Sequence, residues 1–440
     1  MKIERKIMIS IGLVALLLIG YVLSGIGTRT ITSTSDTMLT QIVCSNGNTY
    51  DATWANVVAA ASSLTGNGWI KLTPVTYTVT STVTINTYGV MIYGNGATLD
   101  FSGYNGKVFS FVGTTSSIPE CGVCDCHLIG DRTKTSQEFA NFTNCYCDVY
   151  NCNNTGESYP VALQGEMIYR FVSIYGVSSG SRIHDNRVRC VQGVYITSTD
   201  GTSSTVNGSE IYGNWFDGLY VSGTSTIATS IGIYISGGYG NQITGNHIGG
   251  DDYWHDTPPG TKGFCYGVKC TGTMYDSITG NFLWGALEGI YLTSCNYESM
   301  TGNTFESDYG NSQGIYLGSC IHGITISGNT IRSAFQNYGW DGIFLSSCRN
   351  VTICGNTITQ DITGSHSTCG INGSGTTNSE LCITGNTITT GGGTTPCRGM
   401  DFGTLVNSEI TNNQLHDWVT YNIYIATNTT NLVINNHYTT

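Results

Sequence analysis

A short motif, apolar-x-Gly-Asn-x-apolar, recurs down the chain and constrains its fold more than any other feature. It reads Ile211-Tyr-Gly-Asn214-Trp-Phe216, Ile243-Thr-Gly-Asn246-His-Ile248, Ile278-Thr-Gly-Asn281-Phe-Leu283 and Met300-Thr-Gly-Asn303-Thr-Phe305. It continues at Asn329, Asn356, Asn386, Asn413 and Asn436, and the variant Ile183-His-Asp-Asn186 opens the series. Successive Asn residues lie 22 to 35 apart. A second motif, Gly-apolar-x-apolar, interleaves with it, as in Gly193-Val-Tyr-Ile, Gly232-Ile-Tyr-Ile, Gly289-Ile-Tyr-Leu, Gly314-Ile-Tyr-Leu and Gly342-Ile-Phe-Leu. Both alternate apolar with other residues, the period of strands that bury one face. Short strands at such intervals, with no helical pattern between them, specify a solenoid in which each turn of chain buries its apolar face against its neighbours. Asn in the Gly-Asn step suits a tight left-handed turn, and stacked Asn amides can hydrogen-bond along the axis.

Composition agrees. The 440 residues include 58 Gly and only 10% charged residues, against about 25% in a typical soluble domain. Runs of good helix formers are absent, which excludes a helical bundle. With 40% hydrophobic and 11% aromatic residues the chain can bury a core, which excludes disorder. Seventeen basic against 29 acidic residues leave a net charge of −12, so nucleic acid is not an expected partner.

These repeats resemble the right-handed parallel β-helix repeat proteins of the pectate-lyase-like superfamily. The expected fold is all-β: a right-handed parallel β-helix over residues 49–440, clearest in 183–440, with an N-terminal cap and first coils in 49–112. Asp51 is the expected N-cap of a short amphipathic capping helix over Thr53–Leu64. One such fold hosts many chemistries, so the resemblance speaks to architecture rather than activity.

Before the solenoid, Lys2, Arg5 and Lys6 precede an apolar stretch from Ile7 to about Ile26, long enough to span a bilayer. Residues 1–27 are expected to be a signal peptide or a membrane anchor, and 28–48 a linker. Either reading places the rest at the cell surface or outside the cell, with the membrane as a partner where the segment is retained. Seventeen cysteines suit export, and the odd number leaves at least one unpaired. The Cys-x-Cys pairs Cys124/Cys126 and Cys145/Cys147 lie 21 residues apart, about one coil, which would stack Cys124 on Cys145 and Cys126 on Cys147. Disulfides, stacked free thiols and a metal site all remain open there. Cys295, Cys320 and Cys348 each follow a motif Gly by six residues and should form one column containing buried free thiol.

Function is expected where the repeat varies in length. From motif Gly to the following Asn the count is 14 in six of nine coils; from Asn to the next Gly motif it runs from 7 to 21. The variable arc carries Trp254, Trp284 and Trp340 with Glu306 and Asp308. Aromatic faces and carboxylates are common furnishings of carbohydrate clefts, although Trp can equally roof long loops. The third residue of the second motif should point outward, stacking Tyr195, Tyr234, Lys269, Tyr291, Tyr316, Phe344, Asn372, Asp401 and Tyr424 in one column. That column can be a glycan platform, a protein interface or cross-strand support. The longest excursion concentrates Asp251, Asp252, His255 and Asp256, which can act as acid and base on a glycosidic bond, hold Ca²⁺, or form a solvated loop. Catalytic signatures of the resembled superfamily are not completed: a polygalacturonase-like set would need groups that lie several coils apart here. The expected activity is binding, with hydrolase or lyase cleavage as an open extension, of a polysaccharide or glycan along an aromatic and acidic groove. The alternative is a non-catalytic adhesin or structural surface protein.

Overall fold

A computed structural model describes residues 41–439 apart from 88, 114–119, 132, 155–166, 199–205, 219–229, 251–263, 308–311, 334–339, 361–367, 391–396, 417–420 and 427–429. The apolar segment 7–26, the acidic excursion at 251–256 with Trp254, and Asp308 therefore lie outside the described residues. The chain is a parallel β-helix in which most coils contribute three short strands, each pairing in parallel with its counterparts in the coils before and after. The first stack of strands carries the Gly-apolar-x-apolar motif, as in Ile231–Ser236, Tyr266–Thr271, Glu288–Thr293 and Trp340–Ser346. The second stack contains Gln242–Thr244, Ser277–Thr279 and Ser299–Thr301. The third contains His247–Gly250, Phe282–Trp284 and Thr304–Ser307.

The interior consists of apolar columns, two from the first stack, through Ile233, Val268 and Ile290 and through Ile235, Cys270 and Leu292, and others from the second and third. Ile183, Ile211, Ile243, Ile278, Met300, Ile326 and Ile353 are consecutive register partners in the second stack, and all are buried. Each such side chain contributes about 2–3 kcal/mol of burial free energy. The motif Gly has a steric cause. A Cβ at Gly267 would lie 2.5 Å from Leu283 and 2.7 Å from the carbonyl of Gly289, and the same clash recurs at Gly232, Gly314 and Gly342. Earlier coils fill that column with Val108, Phe139 and Phe171 instead, and Phe139 stacks on Phe171 at 5.5 Å.

Between second and third stacks the chain turns in two residues. The left-handed residue there is the Gly, at Gly245, Gly280 and Gly302 with φ of 62°, 64° and 65°, or Asp185 and Asn412 in its place. This corrects the expectation that Asn supplies the left-handed conformation; Asn is the following residue, and its side chain is buried. Nδ2 of Asn281 donates to Oδ1 of Asn303 at 2.9 Å and to the carbonyl of Ile243 at 2.8 Å. The backbone N–H of Asn281 donates to the same Oδ1. The pattern runs unbroken from Asn186 to Asn436, leaving both ends of each interior amide satisfied.

The N-terminal end is closed by an antiparallel strand and a helix. Gln41–Cys44 pairs antiparallel with Thr49–Asp51 and with Gly68–Lys71, covering the edge of the second stack. This strand falls within the stretch read from sequence as linker. The helix, α1, spans Trp54–Ser63, with Thr53 rather than Asp51 as N-cap: Thr53 Oγ1 accepts from the N–H of Asn56 at 3.3 Å. Asp51 contributes its carbonyl, to Asn56 Nδ2 at 3.0 Å. Among the described residues no helix is long and apolar enough to cross a membrane.

The expected cysteine pairing is corrected. Strand Glu120–Ile129 meets Tyr146–Tyr150 with Cys121 opposite Cys147 and Cys124 opposite Tyr150, a step of 26 residues rather than 21. Cys124 therefore does not face Cys145, nor Cys126 Cys147. All sixteen described cysteines are free thiols. The thiol of Cys121 lies within hydrogen-bonding reach of that of Cys145, and the thiol of Cys126 within reach of that of Cys152. Cys295, Cys320 and Cys348 do form the expected buried thiol column.

At the corner between first and second stacks, Asp276 and Glu298 from successive coils are both buried. Asp276 accepts from Asn241 Nδ2 at 2.9 Å, and its N–H donates to Glu298 Oε2 at 2.7 Å. Burial raises the pKa of both carboxyls, and their mutual repulsion adds to it at Glu298.

Two predictions follow from these columns. Asn303→Ala strips partners from Asn281, Ile278 and Asn329, and should destabilise by about 3 kcal/mol, read as a lower urea midpoint. The pair at 276/298 holds protons in the folded state that the unfolded chain releases above about pH 4. Stability should accordingly fall as pH rises from there, and Asp276→Asn, which extends the amide column, should reduce that slope in urea titrations between pH 5 and 9.

Candidate functional site on the first stack

Outward positions of the first stack form two parallel columns. One is the predicted series: Tyr195, Tyr234, Lys269, Tyr291, Tyr316, Phe344, Asn372, Asp401 and Tyr424 are consecutive register partners. The other, three residues upstream in each strand and more deeply buried, carries Lys107, Glu138, Arg170, Gln192, Ile231, Tyr266, Glu288, Gln313, Asp341, Cys369 and Arg398, so that Ile231 and Cys369 interrupt its polar run. Of the residues expected to bind substrate, Tyr234, Tyr291 and Tyr316 lie in the first column. Trp284 and Glu306 are register partners on the third stack, not on this face. Trp340 is corrected: it is 3% exposed and packed in the core, because its strand turns the preceding position inward and Asp341 outward.

The rings are arranged differently from a sugar platform. Tyr291 stacks on Tyr316 at 4.4 Å and 7° between planes, and Tyr316 on Phe344 at 5.4 Å and 7°. Their faces cover one another, leaving edges and hydroxyls toward solvent. Lys269 lies 4.1 Å over Tyr266 and 5.1 Å over Tyr291, interrupting the ladder with a cation. Beside it, Glu288 is pushed up to about 7 by burial, against the pull of Lys269. Its Oε2 is buried with no hydrogen-bond partner among the described residues. Two rungs on, roughly 10 Å at about 4.8 Å per rung, burial pushes Asp341 up to about 6, opposed by a 3.0 Å bond from Asn372 Nδ2.

A third polar group, missed in the sequence, occupies the N-terminal end of this face. Glu138 is 4% exposed and sits between Lys107 and Arg170 on adjoining rungs. Burial pushes it up to about 7 even though both cations oppose the shift. Lys107 Nζ donates to Asn141 Oδ1 at 2.9 Å, Asn141 Nδ2 to Ser173 Oγ at 2.8 Å, and Ser173 Oγ to Glu138. Arg170 donates to Gln192 at 2.7 Å and to the Tyr175 hydroxyl at 2.9 Å, with its guanidinium 4.5 Å over Tyr195. The sequence hid this cluster because Val108, Phe139 and Phe171 replace the motif Gly. Aligning Lys107-Val-Phe-Ser-Phe, Glu138-Phe-Ala-Asn-Phe and Arg170-Phe-Val-Ser-Ile with Gln192-Gly-Val-Tyr-Ile would have exposed it.

Perturbed carboxyls beside cations and tyrosines on one face make this surface the candidate site. The Glu138 side-chain carboxyl should titrate with a midpoint near 7 by carbon-13 NMR; a midpoint near 4 would remove it from this group.

Several solved structures are similar to this one at low identity. An alginate lyase of the PL6 class, in complex with a trisaccharide, has a TM-score of 0.49 and 11% identity, with 85% of each chain covered. The mannuronan C-5 epimerase AlgE6 A-module of Azotobacter vinelandii has 0.44 and 14%, covering 88% of this chain and 93% of that one. PfbA, a surface adhesin of Streptococcus pneumoniae, has 0.43 and 13%, with 88% of each chain covered. No curated protein matches the sequence. The family described as periplasmic copper-binding protein (NosD) matches residues 165–439, more than half of the chain, and the protein belongs to that family.

Proposed function

We propose that this is an exported cell-envelope protein that binds a polysaccharide along the outer face of the first stack. The observation that carries the reading is the row of buried or half-buried carboxyls, Glu138, Glu288 and Asp341, alongside the tyrosine column on one continuous face. A carboxyl held near neutrality both donates and accepts hydrogen bonds, as does a tyrosine hydroxyl, and sugar hydroxyls require both. Because the ladder rings cover one another, recognition on this face is by hydroxyls and ring edges. Lys107 and Arg170 make the N-terminal end locally basic within an acidic chain, a place for an anionic substituent of the polymer. The family description "periplasmic" supports export, which the apolar segment 7–26 would direct.

That description also names copper. Among the described residues no three His, Cys, Asp or Glu side chains come together to hold a metal ion. His184 is bonded through both ring nitrogens to Asp148 and Asp185; burial raises the thiols of Cys190, Cys270 and Cys369, and the contact with Cys152, followed by burial, raises that of Cys126. The described donors do not fit copper, and the reading takes no step through it.

The test is affinity electrophoresis of residues 28–440 on a panel of neutral and acidic polysaccharides, with and without Ca²⁺. At least one polymer should retard the protein, and Tyr291→Ala with Tyr316→Ala should weaken binding about tenfold, equivalent to about 1.4 kcal/mol. Absence of retardation by every polymer, with concentration-dependent assembly of the protein instead, would replace this reading with the adhesin. New reducing ends that vanish in Glu288→Gln and Asp341→Asn would extend binding to cleavage.

A further inference from the structure

A different corner of the solenoid, between first and second stacks, carries an aromatic pair in a strained position. One column there is defined by hydrogen bonds from the N–H of each residue to the next coil: Gly180 to Asn207, Gly208 to Tyr239, Gly240 to Met274, Tyr275 to Asn296 and Tyr297 to His322. Every residue in this column is left-handed. Gly180, Gly208, Gly240 and Gly323 have φ of 75°, 60°, 72° and 58°, and Tyr275 and Tyr297 have 61° and 59°. A bulky aromatic in this region is disfavoured where glycine is free to sit. Two adjacent coils nevertheless put Tyr where their neighbours put Gly.

The strain does not serve the core. Tyr275 is 59% exposed and Tyr297 44%. Their rings stack at 4.8 Å with 6° between planes, and Tyr297 continues to His322 at 5.8 Å and 12°. On the opposite side of Tyr275 the ladder stops. The next rung is Gly240, where a Cβ would meet nothing within 4 Å; at Gly208 the nearest atom would be the Gly180 nitrogen at 4.0 Å, and at Gly180 there is again nothing. One face of Tyr275 is covered and the other looks onto a step of bare glycine backbone beside Tyr239, itself 47% exposed.

We propose that this open face of Tyr275 is a stacking subsite for a single uncharged pyranose ring, such as a glycan chain end or branch. A ring lying on the Gly240 rung would continue the ladder at the spacing Tyr297 already shows, and the missing side chain is what makes room for it. Tyrosine faces pair well with the C–H face of a sugar. In a chain of net charge −12, Tyr239, Gly240, Tyr275 and Tyr297 form an uncharged patch, which suits a neutral sugar rather than a uronate. The subsite does not depend on the first-stack reading.

The test is saturation-transfer difference NMR of residues 28–440 with the methyl pyranosides of glucose, galactose and mannose. At least one should show signal on the protons of one ring face, reduced at least tenfold in Tyr275→Gly and in Gly240→Tyr. Tyr275→Gly restores the residue that neighbouring coils use, so its thermal midpoint should not drop, which separates lost binding from lost folding. No signal from any of the sugars, or a signal unaltered in Tyr275→Gly, overturns the proposal. A signal lost in Tyr291→Ala but kept in Tyr275→Gly also overturns it, by moving the sugar to the first stack. Self-association abolished by Tyr275→Gly, with no sugar signal, overturns it in favour of a second copy of the chain.

Discussion

The asparagine column is the interaction on which the rest of the solenoid depends. A two-residue corner buries backbone N–H groups and carbonyls that no strand can pair, and each would be expensive to leave unmet. One carboxamide per coil settles this. Its oxygen takes the N–H and the amide of the preceding Asn, as Asn303 does for Asn281, while its nitrogen reaches on to Asn329 and back to the carbonyl of Ile278. Each corner thus requires the next, which is nearest-neighbour stability in its simplest form. The column also fixes the angular position of the corner, and with it the direction of the second and third stacks. Where it begins, Cys152 occupies the place of an Asn: its N–H donates to Asn186 Oδ1 at 3.0 Å, after a left-handed Asn151. A thiol packs at this point without the second donor that a carboxamide has.

With that corner rigid, variation is confined elsewhere. The glycine column packs the first stack against the third so closely that no methyl group fits, and the outward positions of the first stack take no part in that contact. Their aromatic occupants stack on each other, and each such pair adds about 0.5–1.5 kcal/mol. The ladder therefore supports the sheet as well as presenting hydroxyls. Of the three readings the sequence left open for this column, the stacked ring faces show the cross-strand support directly.

How far the sequence could be read follows from what each inference used. Period-two alternation with a constant Gly-to-Asn count placed nine outward residues from Tyr195 to Tyr424 in register, since one slip would have turned each of them inward. The Cys295 column was legible for the same reason. The cysteine pairs near residue 124 were not, because the coil length there had to be assumed and was short by five residues, enough to replace every partner. Trp340 was misplaced because position in a variable arc says nothing of facing; one residue's shift separates the core from Asp341 on the surface. The Lys107, Glu138 and Arg170 group was invisible to a search keyed on glycine, although wider coils can fill the same column with Phe.

The carboxyls of the second stack show why those of the first stand apart. Asp148 accepts from Arg182 at 2.8 Å and meets His184 at 3.1 Å, so its charge is answered by partners in the same sheet. Glu288 has Lys269 nearby and Glu138 has two cations, yet burial outweighs them at both. The difference lies in what surrounds the group rather than in the count of charges. Around Glu288 and Glu138, burial beside Tyr266, Tyr291 and the packed phenylalanine coils removes the water that would stabilise a charged carboxylate. A face that holds its acids near neutrality is poorly suited to binding cations and well suited to exchanging hydrogen bonds with hydroxyls.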